Sequence, residues 1–294
     1  MCDPLVIRIL GAGARIEPLL HPKPGAVTRM NRHPDKSIFT YMIASIPLDL
    51  ALSTTCTRSS DDCTSSIAYG MRAYRSAYER LIPKRVNTLL GTLLLLLPIA
   101  AAHGATGHRD PWELARTSSR LVIECTGRDE ALEYYRLLKL FRPRHLGRYR
   151  GPLPDIDEGV PDSFTAILRA NSWDLVHREI LSGYPLTLNA LNTMREARGN
   201  LEDKALKALL HILSSHGDTL IARRYGMRAF KKARAEAQHA LLYSKKVGIR
   251  AALEYLDSLW RPRGWNPGAV LDVIAASISL YILSMLVEGR DPGL

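Results

Sequence analysis

The stretch His21-Pro22-Lys23-Pro24-Gly25-Ala26-Val27-Thr28-Arg29 sets a cation between two prolines and a glycine. Each proline fixes its own φ and pushes the residue before it towards extended backbone. Gly25 can adopt a conformation that a Cβ would resist. The result is a stiff, non-helical turn with Lys23 beside backbone N–H groups and with Arg29 and His33 nearby. Such a turn can gather donors around phosphate oxygens at low entropy cost. The same residues also suit a rigid interhelical connector whose lysine is merely solvated. Three carboxylates, Glu179, Asp218 and Asp272, each stand beside a helix start or end within an apolar or punctuated segment. Asp218 is a good helix cap in its own right, and Glu179 can pair with a nearby arginine. Asp272 lies one turn into an apolar helix, where an unpaired carboxylate is costly and calls for an arginine, a metal or water. Arg223 and Arg224 can hold anions, as can free N–H groups of Gly268 and Ala269 at a helix N-terminus, and Asn87 can bond ribose or phosphate. His33, His103, His177 and His216 have no spacing that demands a metal and read as surface or core residues.

Helices must position these groups. Val6 to Arg15 imitates a strand entering a dinucleotide loop, but Ile16 replaces the third glycine and Pro18, Pro22 and Pro24 forbid the helix that should follow. The segment reads as an opening helix. Ser37 caps a helix over residues 37–52 that Pro47 should end or kink, and 53–65 reads as a loop. Helical spacing resumes over 66–81 and closes at Pro83. Asn87 or Thr88 caps the most apolar helix, and Gly91 permits a close approach. Further helices are expected over 111–125, after Asp110-Pro111, and over 129–140. Residues 141–159 form a long loop, and a capped helix follows over 172–181, ended by Gly183. The remaining helices cover 187–198, 201–215, 219 to about 245, 248–260 and 269–286. The last is apolar nearly all round and therefore buried. The expected fold is all-α, a single-domain bundle of about ten or more helices around a buried apolar central helix, within one domain spanning 1–294.

The chain has 294 residues, 46% of them hydrophobic, enough for a large core. Forty Lys plus Arg against 29 Asp plus Glu give a net charge of +11, which suits anionic partners. The basic residues are dispersed and only 7% of residues are aromatic, so a stacking groove for nucleic acid is not indicated. Arginine outnumbers lysine while Asn and Gln are scarce, a bias that fits a hot-living source or simply genome composition. Cys2, Cys56, Cys63 and Cys125 form no CxxC pattern, and a reduced, intracellular setting is the simplest expectation. The opening residues carry no secretory pattern. The apolar run 88–102 is too short to span a membrane and contains Pro98. Oligomeric state is left open.

Four signatures now stand in order: Pro22-Lys23-Pro24-Gly25, Val86-Asn87-Thr88 with Gly91, Asp218-Thr219, and Asn266-Pro267-Gly268 with Asp272. Arg178-Glu179 followed by Gly183-Tyr184-Pro185 lies between the second and third. Together they resemble the triphosphoribosyl-dephospho-coenzyme A synthase family, over roughly residues 15–287. The resemblance implies an all-helical transferase that moves a 5-triphosphoribosyl group from ATP to the 2′-hydroxyl of 3′-dephospho-coenzyme A and releases adenine. It implies ATP as substrate with Mg²⁺, nucleotide and coenzyme-A-like partners, prosthetic-group biosynthesis and a cytoplasmic setting. Such displacement passes through an oxocarbenium-like state and needs a proton acceptor and cations for the triphosphate. On that basis Glu179 and Asp272 are the catalytic candidates, and Asp218 and Asp272 the Mg²⁺ ligands. Lys23, Gly25, Arg29, Asn87, Arg223, Arg224 and Gly268 are then the substrate-binding set. Leu89-Leu90-Gly91 departs from the family's His-Lys-Gly, and Asn266-Pro267-Gly268-Ala269 from its Ser-Pro-Gly-Gly, so the acceptor could differ. The alternative is a helical protein that binds a nucleotide or coenzyme without turnover, and a third reading, nucleic-acid binding, rests on charge alone.

Overall fold

The computed structural model describes residues 2–82, 85–141 and 151–293. Among them it contains thirteen α-helices, two single 3₁₀ turns and no strand. α1 (Pro4–Ile16) is capped by Asp3, whose side chain accepts from Leu5 N, and runs into a 3₁₀ turn at Glu17–Leu19. α2 (Ile38–Ser59), α3 (Ser66–Leu81) and α4 (Leu90–Thr106) pack on one another, and α1 covers α2. α5 (Pro111–Cys125), α6 (Arg128–Phe141), α7 (Phe164–Ala170) and α8 (Leu175–Ser182) form a side layer. α9 (Pro185–Glu196), α10 (Leu201–His216), α11 (Thr219–Val247) and α12 (Ile249–Trp260) complete the shell.

α13 (Gly268–Val287) is the axis of the bundle, contacted by α1, α4, α9 and α10. Small residues let neighbours approach: a Cβ on Gly13 of α1 would sit 1.9 Å from the Ala275 carbonyl oxygen. Ser279 seals that contact, donating to Leu10 O at 2.7 Å and accepting from Gly13 N at 3.1 Å. α2 and α13 are both long and apolar enough, by length and composition, to cross a membrane. The other helices enclose α13, which burial inside the protein explains without lipid.

Three expectations need correction. α2 continues to Ser59 instead of yielding to a loop after residue 52, because Thr55, Cys56 and Ser59 are buried against neighbours. Pro47 stays inside it, held by packing on α1, α3 and α4. α7 was not expected at all. The cysteines are all paired, Cys2 with Cys56 and Cys63 with Cys125, so the reduced setting is overturned. Cys2 lies just before α1 and Cys63 in the connection after α2, and each is tied to a helix more than 50 positions away, which sequence spacing cannot reveal. Pro83 and residues 142–150 of the expected long loop lie outside the described residues.

Candidate active site

The turn that carries Lys23 is held from every side. Gly25 has φ +62°, and a Cβ there would sit 1.9 Å from the Trp265 carbonyl oxygen. Its N–H donates to Asp257 Oδ1 at 2.7 Å, and its carbonyl lies 3.1 Å from His33 Nε2. Arg29 pairs with Glu202 and donates to Leu19 O at 2.9 Å, clamping the turn to α10. Lys23 itself is 1% exposed: Nζ donates to Glu17 O at 2.6 Å and pairs with the Glu17 carboxylate. Burial holds its pKa below the usual lysine range against the pull of Glu17. Neither a solvated lysine nor an open cradle of N–H groups describes this turn. It is a brace that fixes a buried ion pair.

Asp272, on α13, feels the charge of Glu17 in that brace. Its Oδ1 accepts from Thr92 N at 3.0 Å and from Thr92 Oγ1 at 2.6 Å, in the first turn of α4. Gly91 is required here, since a Cβ would lie 2.1 Å from Asp272 Oδ2. Burial lifts the Asp272 pKa to about 7; the Thr92 hydroxyl opposes this, the charge of Glu17 adds to it, and the Thr92 N–H and Lys36 oppose it. Lys36 donates to Asn87 O at 3.1 Å, and desolvation depresses its pKa although Asp35, Asp272 and Glu17 pull the other way. Burial raises the pKa values of Tyr41 and Tyr74, with the charges of Glu17, Asp272 and Asp35 adding to it at Tyr41 and that of Asp272 at Tyr74. Glu17, Lys23, Lys36, Tyr41, Thr92 and Asp272 thus form one polar cluster in an apolar bundle.

On the outer side of Lys36 a cavity of about 550 Å³ opens between the start of α2 and the end of α3. Arg32, His33, Asp35 and Lys36 give it a polar wall, Phe39 and Ile43 an apolar one. His33 Nδ1 lies 3.9 Å from Asp35 Oδ1, and burial keeps the ring's pKa below its usual value, so it is neutral at pH 7. His33 therefore stands at the cavity, a placement its sequence context did not single out. The only available signal was His33-Pro34-Asp35-Lys36, four residues in a row without helical pattern just before the Ser37 cap.

The remaining candidates fall elsewhere. Asn87 lies at the cluster's edge, its Oδ1 accepting from Leu90 N at 3.2 Å. Arg224 acts on Lys36 electrostatically. Arg223 pairs with Asp174 at 2.9 Å and stacks on Trp173. Asp218 is 1% exposed and joins two helix starts: Oδ1 accepts from Ile221 N at 3.0 Å, and Oδ2 from Val270 N at 2.8 Å. Burial lifts its pKa to about 7. Gly268 lets α13 begin against Leu220, whose Cδ2 would lie 2.7 Å from an added Cβ. Glu179 is fully buried, but its partners are Leu186 N at 3.0 Å, Thr187 N at 2.7 Å and Thr187 Oγ1 at 2.8 Å, instead of the arginine expected from sequence. Thr187 O in turn accepts from Ser277, five residues beyond Asp272 on α13, about 7 Å along the axis and on another side. Lys23 pairs with Glu17, whose charge also acts on Asp272, while Glu179 and Asp218 anchor helix starts.

Among the described residues no group of three or more His, Cys, Asp or Glu converges to hold a metal. A cage made by protein alone does not fit. Mg²⁺ carried by a nucleotide takes one or two carboxylates plus phosphate oxygens, and Asp272 Oδ2 with Glu17 nearby suits that simpler demand.

The model of the CitG family, ATP:dephospho-CoA triphosphoribosyl transferase, matches residues 8–291. The chain belongs to this family. It is 24% identical over 298 residues to a Malonomonas rubra protein named a probable 2-(5''-triphosphoribosyl)-3'-dephosphocoenzyme-A synthase, covering 94% of this chain and 86% of that one. The Klebsiella pneumoniae 2-(5''-triphosphoribosyl)-3'-dephosphocoenzyme-A synthase is 32% identical over 133 residues, 42% of this chain and 48% of its own. A crystal structure assigned to a triphosphoribosyl-dephospho-CoA synthase from Archaeoglobus fulgidus superposes with a TM-score of 0.62 at 18% identity. The match covers 84% of this chain and 98% of that one, so the two share a fold.

Proposed function

We propose that this CitG-family chain transfers the triphosphoribosyl group of ATP to dephospho-CoA, and that the reaction takes place at the polar cluster around Asp272, which Lys36 links to the cavity. The observation that carries the reading is a carboxylate held by Thr92 against Gly91 within the electrostatic reach of Lys36, with burial lifting its pKa to about 7. The ribose C1′–N9 bond breaks as the acceptor's 2′-oxygen bonds to C1′. The proton of that hydroxyl passes to Asp272, and adenine leaves with a proton in return. A carboxyl group of this pKa exchanges protons near neutrality, as a general base should. Lys36, Arg32 and Arg224 are the cations for the triphosphate, and Mg²⁺ held by the nucleotide's phosphate oxygens would supply further charge neutralisation. Lys23, Gly25 and Arg29 act one step back, by holding Glu17 and the turn in place. A cytoplasmic site of action belongs to the same reading, and intracellular proteins with two disulfides are characteristic of hyperthermophiles.

Leu89 and Leu90 are buried at 2% and 7% exposure, so no polar pair reaches the site from these positions. That favours the second reading, binding without turnover. Supplying ATP, Mg²⁺ and dephospho-CoA and measuring free adenine separates the two. Adenine release by the natural chain and its loss in Asp272→Asn are expected. Thermal stabilisation by ATP with no adenine would leave only the binding reading.

A further inference from the structure

Residues 32–37 line the cavity as a short non-helical segment that leads into α2. His33 N donates to Lys36 O at 2.9 Å, which ties the ends of His33-Pro34-Asp35-Lys36 together, and Pro34 fixes its own φ inside that loop. His33 Nε2 lies 3.1 Å from the Gly25 carbonyl oxygen. A carbonyl only accepts, so Nε2 carries the proton, and in the neutral ring Nδ1 is then a bare acceptor. Nδ1 lies 3.9 Å from Asp35 Oδ1, a carboxylate oxygen that also only accepts. Among the described residues nothing donates to either atom. Two acceptors therefore stand side by side on a cavity wall with no donor between them.

Such a pair is satisfied by a ligand that donates to both atoms. An exocyclic amino group on a planar base does so with two hydrogens on one nitrogen. Two N–H bonds of about 2.9 Å to their acceptors, diverging at roughly 120°, span about 5 Å. Asp35, with 63% of its side chain exposed, is free to open the gap from 3.9 Å to that width. A base with a 6-oxo group presents an acceptor at the same place and leaves both atoms unpaired. A metal ion would need further ligands, and among the described residues no third His, Cys, Asp or Glu joins these two. The rest of the wall fits a nucleotide that carries an amino-bearing base. Phe39 lines the same cavity at 72% exposure, and no other described ring packs on it, so its face is open for stacking. Arg32 and Lys36 supply cations for phosphate.

We propose that His33 and Asp35 are the specificity-determining pair of an adenine site, reading the 6-amino group while Phe39 stacks on the base. The inference rests on the reading of ATP and dephospho-CoA as substrates. Each of them carries an adenine, and the same chemistry would hold the base of either one.

Calorimetric titration of the full chain with one nucleotide at a time, so that no turnover occurs, tests this. ATP and dephospho-CoA are each compared with the counterpart that bears hypoxanthine. The natural protein is expected to bind at least one adenine ligand about tenfold or more tighter than its counterpart, and the arm that discriminates names the substrate seated here. Asp35→Asn can turn an N–H towards a 6-oxo group and should bring that ratio to within about threefold. Phe39→Ala should weaken both members of the pair by about tenfold with their ratio unchanged, because stacking tolerates any base, and Phe39→Trp should recover the loss. Both side chains are largely exposed, so an unchanged circular dichroism spectrum is expected for each variant. A natural protein that binds neither adenine ligand or treats both bases alike, an Asp35→Asn protein that keeps the ratio, or a Phe39→Ala protein of unchanged affinity would overturn the proposal. A protein that discriminates but releases no adenine from the full substrate mixture loses the transferase reading and keeps this one; adenine release without discrimination does the reverse.

Discussion

Replacing Asp272 by Asn should make the protein more stable while removing its activity, and the gain should depend on pH. Both hydrogen bonds from Thr92 fall on Oδ1. The Asn carbonyl oxygen can accept the same two, so the exchange removes charge and little else. In the unfolded chain the Asp272 carboxyl has its ordinary pKa of 3.8, and folding raises this to about 7, with burial as the main cause. A raised carboxylate pKa favours the protonated fold, so the fold is relatively most stable below pH 3.8 and loses that advantage as pH rises to about 7. A tenfold change in proton affinity is worth about 1.4 kcal/mol. The ceiling on the loss is therefore about 4 kcal/mol above pH 7, and partial exposure of the side chain should reduce the measured figure to the order of 2 kcal/mol. Denaturant unfolding of both proteins between pH 4 and 9 measures the difference directly. Titration of Asp218 and other groups common to the two proteins largely cancels. The expected curve is near zero at pH 4, rises through pH 5–7 and is flat above. A difference that ignores pH, or a substituted protein less stable than the natural one at pH 8, would refute the claim that this carboxylate is strained by burial.

Two more perturbations address the frame around it. Gly91→Ala places a methyl carbon 2.1 Å from Asp272 Oδ2, so α4 and α13 must separate or the carboxylate must turn. A loss of about 1–3 kcal/mol by chemical denaturation is expected, with adenine release falling more than stability alone accounts for. Cys63→Ser opens a bond between residues 62 apart in sequence and should reduce unfolding free energy by about 2–4 kcal/mol, with the natural protein showing a larger decrease in melting temperature under reducing agent, which opens both bonds.

Much of the helical framework was legible because its boundaries are local chemistry. Asp110-Pro111 and Asp218-Thr219 announce helix starts by side-chain caps, and the structure uses both. Gly183 ends α8 as expected, with φ +79°. The failures came where neighbours outvote local signals. Serines and threonines after residue 52 looked like a loop, yet their small side chains are what lets α2 lie close to its neighbours: a Cβ on Gly70 of α3 would lie 2.0 Å from Thr55 Oγ1.

The site divides along the same line. Sequence alone determined that Lys23 sits in a rigid turn, that Gly91 allows a close approach and that Asp272 in an apolar helix needs partners, since each follows from residue type and immediate surroundings. Which partners those are was decided only by the tertiary structure. Thr92 reaches Asp272 across 180 positions of sequence, and Glu17, paired with Lys23, acts electrostatically on Asp272 because α1 and α13 are packed together. Glu179 and Asp218 looked like equal candidates for chemistry, but the fold turned both carboxylates onto helix N-termini, where backbone N–H groups need acceptors. A buried charge is a question posed by sequence, and only packing in three dimensions supplies the group that answers it.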